Sequence, residues 1–231
     1  MRINQNISAL NSYRNLSASN ANMSKTLEKL SSGTRINRAA DDASGLVISQ
    51  GLRAQVSGLR QATRNAQDGI SVVQTAEGAL NEVHNMLGRM RDLAVQAANG
   101  GANDTDARTA ANNEVTDLTA EIDRIATTTK FGSVTLLAGT FGAGGAGTGN
   151  FQVGADNTVD DQIALTIDDM TTAGNLSDIA GLDLTTEAGA QAAITSIDLS
   201  IKAVSTQRGT LGAAQNRFES VIANLQVTPR T

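Results

Sequence analysis

Residues 44–99 read SGLVISQGLRAQVSGLRQATRNAQDGISVVQTAEGALNEVHNMLGRMRDLAVQAAN, a stretch without proline. Every seventh residue of one row within it is apolar: Leu52, Leu59, Ala66, Val73, Leu80, Leu87 and Ala94. A second set, offset by three or four, includes Val56, Ile70, Val83, Met90 and Ala97. Apolar residues at this spacing fall on one face of a 3.6-residue helix. A stripe kept in phase this long is built for another long helix. At 1.5 Å per residue the rod is roughly 80 Å long. Thr63, Glu77 and His84 sit on the second row, and Gly58, Gly69, Gly78 and Gly88 interrupt the stripe. Each interior glycine costs up to about 1 kcal/mol against alanine. Such a helix depends on packing more than on propensity.

The same code brackets this stretch. Before it, Ile3, Ile7 and Leu10 begin an apolar face that Leu16, Met23, Leu27 and Leu30 resume after a phase shift. Ser31-Ser32-Gly33 predicts the end of that first helix, because glycine is the usual residue just past a helix C-terminus. Thr34 to Ala43 is a charged connector, and Asp42 or Ser44 is placed to cap the long helix. After it, Asn99-Gly100-Gly101 is a breaker, and Asp104 or Thr105 can cap a second helix over about 106–127. Its stripe is Val115, Leu118, Ile122 and Ile125. A helix following a short turn folds back antiparallel on its predecessor.

From Thr129 to Thr185 the code changes. Phe131-Gly132 with Ser133 to Leu137 predicts a strand and turn, and Gly139 to Asn150 a low-complexity loop. Phe151 to Ala155 and Gln162 to Asp168 predict two short strands, the second alternating Ile163, Leu165, Ile167. Residues 171–185 form a polar connector anchored by Ile179 and Leu182. Helical periodicity returns over Glu187 to Val227, with Ile197, Val204, Leu211, Phe218 and Leu225 on one row. The companion row holds Ile194, Ile201 and Ile222, with Arg208 and Gln215 between. The fold class expected is mainly α: an elongated bundle of long antiparallel helices with a small β-hairpin-bearing tip. The stripes at 44–99 and 187–226 cover one another as an intrachain seam. The stripe at 1–32 is left for use between molecules, since an apolar stripe must be covered.

Composition narrows the function. Aromatics are 2% of the 231 residues, which suits slender rods more than a compact globule. The net charge of −5 and the absence of a basic run argue against nucleic acid. Cysteine is absent, and no apolar run approaches the length of a membrane span. The opening Met-Arg-Ile-Asn-Gln-Asn has no secretory h-region. His84 lacks the second histidine of a zinc-protease motif, and the glycine-rich 139–149 lacks the lysine of a phosphate loop. Asp41/Asp42 and Asp160/Asp161 read as a cap and a solvated turn rather than as acid pairs. No enzyme, cofactor or metal site is expected.

Several motifs occur in order. They are Leu30-Ser-Ser-Gly-Thr-Arg-Ile-Asn-Arg-Ala-Ala-Asp-Asp-Ala-Ser-Gly-Leu46, Ala66-Gln-Asp-Gly-Ile-Ser-Val-Val-Gln-Thr-Ala-Glu-Gly-Ala-Leu80 and Arg91-Asp-Leu-Ala-Val-Gln96. Glu121-Ile-Asp-Arg124 and Leu211-Gly-Ala-Ala-Gln-Asn-Arg-Phe218 follow. Over residues 1–140 and 185–226 the chain resembles bacterial flagellin. The resemblance implies a structural subunit that polymerises with copies of itself into the flagellar filament for motility. It implies an extracellular location, reached unfolded through the flagellar export machinery with a chaperone and without a cleaved signal peptide. It implies an N-terminal inner helix and connector at 1–43. A rod region at 44–185 would carry a short β tip near 130–170, and a C-terminal rod helix would occupy 186–231. Ile3, Ile7, Leu10, Leu16, Met23, Leu27 and Leu30 become the candidate assembly residues. Arg89, Leu93 and Glu114 match positions recognised by the Toll-like flagellin receptor of animals, with Leu93 expected to be exposed. Family members continue past Asn224-Leu-Gln-Val227, whereas this chain stops at Thr228-Pro229-Arg230-Thr231. The expectation is therefore a shortened flagellin whose residues 1–32 are disordered or oligomer-dependent in solution. The alternatives are a hook–filament junction protein or a soluble truncated flagellin acting as a receptor ligand.

Overall fold

A computed structural model describes residues 6–101, 104–142, 145 and 147–227. The helices are α1 (Ile7–Ser32), α2 (Ala43–Ala97), α3 (Thr105–Thr128) and α4 (Glu187–Val227). Between α3 and α4 lie β1 (Lys130–Phe131), β2 (Val134–Thr135), β3 (Thr148–Gln152) and β4 (Gln162–Thr166). β1 pairs with β2 and β3 with β4, both antiparallel, the second pair placing Thr148 opposite Thr166 and Gln152 opposite Gln162. The chain divides into two compact units at Ser57/Gly58, within α2.

The unit ending at Ser57 is one helix, an elbow and the start of another. Asn6 caps α1 by accepting from the Ala9 amide at 3.2 Å. Gly33, at φ 68°, closes α1 in the left-handed conformation that only glycine adopts without strain. The chain then turns about Asn37. Its side-chain amide donates to the Glu28 carbonyl (3.3 Å) and to Ser32 Oγ (2.7 Å), while its Oδ1 accepts from Thr34 Oγ1 (2.5 Å). Arg38 Nε meets Glu28 Oε1 at 2.9 Å. The Asp41 carboxylate accepts from the backbone amides of Asn37 and Arg38, and the Asn37 bond above all holds its carboxyl below the usual carboxylate range. Asp42 Oδ1 accepts from Gly45 N at 2.9 Å and caps α2. The predicted boundary at Gly33 and the Asp42 cap therefore both hold. No residue of α1 is buried. A helix that buries no side chain and is tied only at its C-terminal end opens readily. Trypsin acting on dilute protein is expected to cut at Arg35, Arg38 and Arg53 well before any site in 58–227, followed by peptide mass. Equal cleavage rates in both units would contradict this.

The second unit is a bundle of α2 from Gly58 onward, α3 and α4, with the strands packed on it. Contacts between α2 and α4 fix an antiparallel register. Arg91 Nε pairs with Asp198 Oδ1 at 2.7 Å, Glu77 approaches Arg208 at 3.6 Å, and Gly69 faces the Phe218 ring. Glu77 and Arg208, the polar interruptions of the two stripes, thus face each other. The α4 row Ile197, Val204, Leu211, Phe218 and Leu225 is buried at every position. On α2 the predicted row is buried from Ala66 through Val73, Leu80 and Leu87 to Ala94. Leu52 departs from the expected seam and is exposed, because the buried rows of α2 begin only near Ala62. Val115 and Ile122 of α3 are buried, and Asp104 is its cap.

Gly69 is no interruption. It is buried, and a Cβ added there would lie 2.7 Å from Phe218 Cζ, so the missing side chain is the seat of the ring. Phe151 on β3 meets the same ring edge-on, with centroids 5.4 Å apart. The β3–β4 ribbon is tied down by Asn65 Nδ2 donating to the Gln152 carbonyl (2.9 Å) and Gln207 Nε2 donating to the Thr166 carbonyl (3.0 Å). Ile163, Leu165 and Ile167 are buried as their alternation predicted. The predicted loop over 139–150 is shortened, since Thr148 to Asn150 already belong to β3. Residues 172–184 run antiparallel along α3. Asp123 accepts from Thr172 N (2.7 Å) and Oγ1 (2.6 Å), and Asn112 Oδ1 accepts from Leu184 N (2.9 Å).

Ser200 is fully buried and its hydroxyl has no partner among the described residues. Ser200→Ala removes an unsatisfied buried group and raises helix propensity. Urea unfolding is expected to show unchanged stability or a gain of up to about 2 kcal/mol. A loss would mean that the hydroxyl is bonded in solution.

Candidate functional site

Two surface features carry the candidate residues. The first is the set of exposed apolar side chains on α1: Leu16, Met23, Leu27 and Leu30 share one face, while 100° per residue turns Ile7 and Leu10 to another side of this unbroken helix, so the face the sequence suggested is split in two. Ile7, Leu10, Leu16, Met23, Leu27 and Leu30 are all exposed, from 51% at Leu10 to 78% at Leu30. Ile3 lies outside the described residues. Tyr13 is exposed on the same helix, and Val47, Ile48 and Leu52 are exposed at the start of α2. The sequence reading passed over Tyr13, Val47 and Ile48, although Ile48 stands four residues before Leu52 on its row. Arg14, Lys25 and Lys29 occupy the side of α1 turned away from Leu16, Met23, Leu27 and Leu30, as 100° per residue dictates. Covering one such side chain contributes roughly 1.5–3 kcal/mol. A monomer exposing a whole row of them carries an interaction surface.

The second feature is a charged pair across α2 and α3. Arg89 Nε donates to Glu114 Oε1 at 2.7 Å, with both side chains partly exposed. The hydrogen bond and charge of Glu114 push the Arg89 guanidinium pKa further up. The folded-back α3 brings these residues together from distant points in sequence. Leu93 does not join them at the surface. It is only 4% exposed and belongs to the core, so the expected exposed leucine is corrected. α2 is packed by α3 on one side and α4 on another, and Leu93 and Ala94 both turn inward.

Neither feature resembles a catalytic centre. Among the described residues no three His, Cys, Asp or Glu side chains converge as ligands for a metal ion, and no helix is long and apolar enough to cross a membrane. His84 is half-buried, with Nδ1 unpartnered among the described residues.

The family model described as the bacterial flagellin N-terminal helical region matches residues 3–142. A flagellin of Halalkalibacterium halodurans is 48% identical over 225 residues, covering 97% of this chain and 80% of its own. A flagellin of Bacillus subtilis is 43% identical over 255 residues, covering 99% and 83%. The crystal structure of Bacillus cereus flagellin superimposes with a TM-score of 0.59 at 32% identity, covering 70% of this chain and 88% of that one. No finding favours a hook–filament junction protein over these matches. A long-helix bundle bearing an uncovered apolar row, joined to relatives that match nearly the whole chain, leads to one family: this chain belongs to the bacterial flagellins, the structural subunits of the flagellar filament.

Proposed function

We propose that the exposed apolar side chains of α1, with Leu16, Met23, Leu27 and Leu30 on one face and Ile7 and Leu10 on another, together with Ile3, are the surface through which this flagellin joins copies of itself. The observation that carries the reading is a helix with no buried residue and an exposed apolar row from Leu16 to Leu30. Open filaments need two different complementary surfaces on each subunit, and α1 supplies one of them. Purified protein is expected to form filaments visible by negative-stain electron microscopy and to pellet on ultracentrifugation. A preparation that stays monomeric at every concentration would end the reading.

Delivery to the filament would run through the flagellar export machinery, unfolded and escorted by a chaperone. A chain without cysteine forms no disulfide to block such passage, and the unburied α1 offers little resistance to unfolding.

A second reading concerns animal hosts. The exposed Arg89–Glu114 pair is a suitable polar anchor for a Toll-like flagellin receptor, arginine being a frequent hot-spot residue. Leu93 would act only by supporting the backbone beneath them. Arg89→Ala is expected to lower receptor activation by roughly tenfold or more in a cell reporter assay. Equal signals from both proteins would remove the pair from the receptor site.

A further inference from the structure

We propose that the Met23 thioether is an oxidation site, and that a peroxide-class oxidant acting there stops assembly through α1. The inference rests on the reading of α1 as the assembly surface.

Four methionines lie in the described residues, and they divide sharply by access. Met23 is 60% exposed, whereas Met90 and Met170 are at 0% and 1%, and Met86 is half-buried against the core. Oxidation follows exposure, so the reagent reaches Met23 without any opening of the bundle. The position matters as much as the access. Met23 lies seven residues after Leu16 and four before Leu27, on the row proposed to be covered by a neighbouring subunit. Methionine suits such a row while reduced, because its unbranched thioether adapts to an irregular partner.

In the reaction the thioether sulfur attacks one peroxide oxygen. A sulfur–oxygen bond forms, the oxygen–oxygen bond breaks, and the remaining oxygen leaves as water after taking up the protons. Sulfur loses two electrons and the peroxide gains them. The product sulfoxide is polar and chiral, and placing it in an apolar contact costs the desolvation of its oxygen. Helix α1 itself is untouched, since the side chain stands in solvent in the free subunit. The effect is therefore specific to association. Methionine sulfoxide reductases reverse it. Once the row is covered in a filament the thioether is sheltered, so oxidation acts on free subunits.

The test treats the full chain with hydrogen peroxide and follows tryptic peptides by mass, Met23 being the only methionine in peptide 15–25. That peptide is expected to gain one oxygen roughly tenfold faster than peptides bearing Met90 or Met170. The pelleted fraction is expected to fall in step with oxidation at Met23 and to recover after reductase treatment. Untreated Met23→Gln, a polar mimic of similar length, is expected to pellet as poorly as the oxidised chain. Leu27→Ser is run beside them. If Leu27→Ser pellets as the parent does, the reading of α1 as the assembly surface fails and takes this inference with it. If Leu27→Ser fails to pellet while oxidised parent pellets normally, the oxidation proposal alone is overturned. Oxidation of Met90 as fast as Met23 overturns it as well.

Discussion

Phe218→Ala lowers the unfolding free energy of the bundle by about 3–5 kcal/mol, the range for removing a fully buried phenylalanine. The ring is wholly buried on α4, sits over Gly69 of α2 and meets Phe151 of β3 edge-on. It therefore holds three elements together, and its loss leaves a cavity that the rigid helices cannot close. Urea unfolding at equilibrium is the measurement, with Gly69→Ala as its companion. The added methyl gains up to about 1 kcal/mol of helix propensity. It also forces the ring aside from 2.7 Å, and overpacking of this kind costs about 1–3 kcal/mol. Gly69→Ala is expected to destabilise on balance, by less than Phe218→Ala. A loss below about 1 kcal/mol for Phe218→Ala would mean that the ring is not the tie between helices and ribbon.

The paired change Leu16→Ser with Leu27→Ser abolishes pelleting while leaving the thermal unfolding of residues 58–227 where it was. Both leucines are exposed on α1 and contribute nothing to a buried core. Serine has only slightly lower helix propensity than leucine, a cost of tenths of a kcal/mol. If a neighbouring subunit covers each leucine, the pair removes roughly 3–6 kcal/mol per contact, enough to shift association by orders of magnitude. Sedimentation separates the outcomes. A double variant that pellets like the parent would place the assembly surface elsewhere, and one that melts earlier would show that α1 supports the bundle.

The sequence made most of the helices and their inward rows legible. Five apolar residues seven apart on α4 cannot avoid sharing a face, and all five are buried. Turn chemistry located Gly33, Asp42 and Asp104 for the same local reason, that few residues satisfy helix ends. What escaped were facts that need two distant segments at once. Gly69 looked like a defect until Phe218 stood over it, and Glu77 looked like an impurity until Arg208 faced it. Leu93 was misjudged because a seam at 3–4 spacing describes a helix with one neighbour. With neighbours on two sides, residues adjacent to the row turn inward as well. The early start of β3 was hidden because Thr148-Gly149-Asn150 has no apolar alternation and takes its conformation from pairing with Ala164 to Thr166. Of the α1 row, the sequence showed that it needs covering; a single chain cannot show by what.

Tyr13 is the only tyrosine and the chain has no tryptophan, so nearly all of its near-ultraviolet emission originates from one ring on α1. The bundle of α2, α3 and α4 is optically silent at those wavelengths. Polarisation of that light therefore reports the motion of the ring on α1, slower when subunits lock together and faster when they part, and the polymerisation reaction carries its own unlabelled gauge.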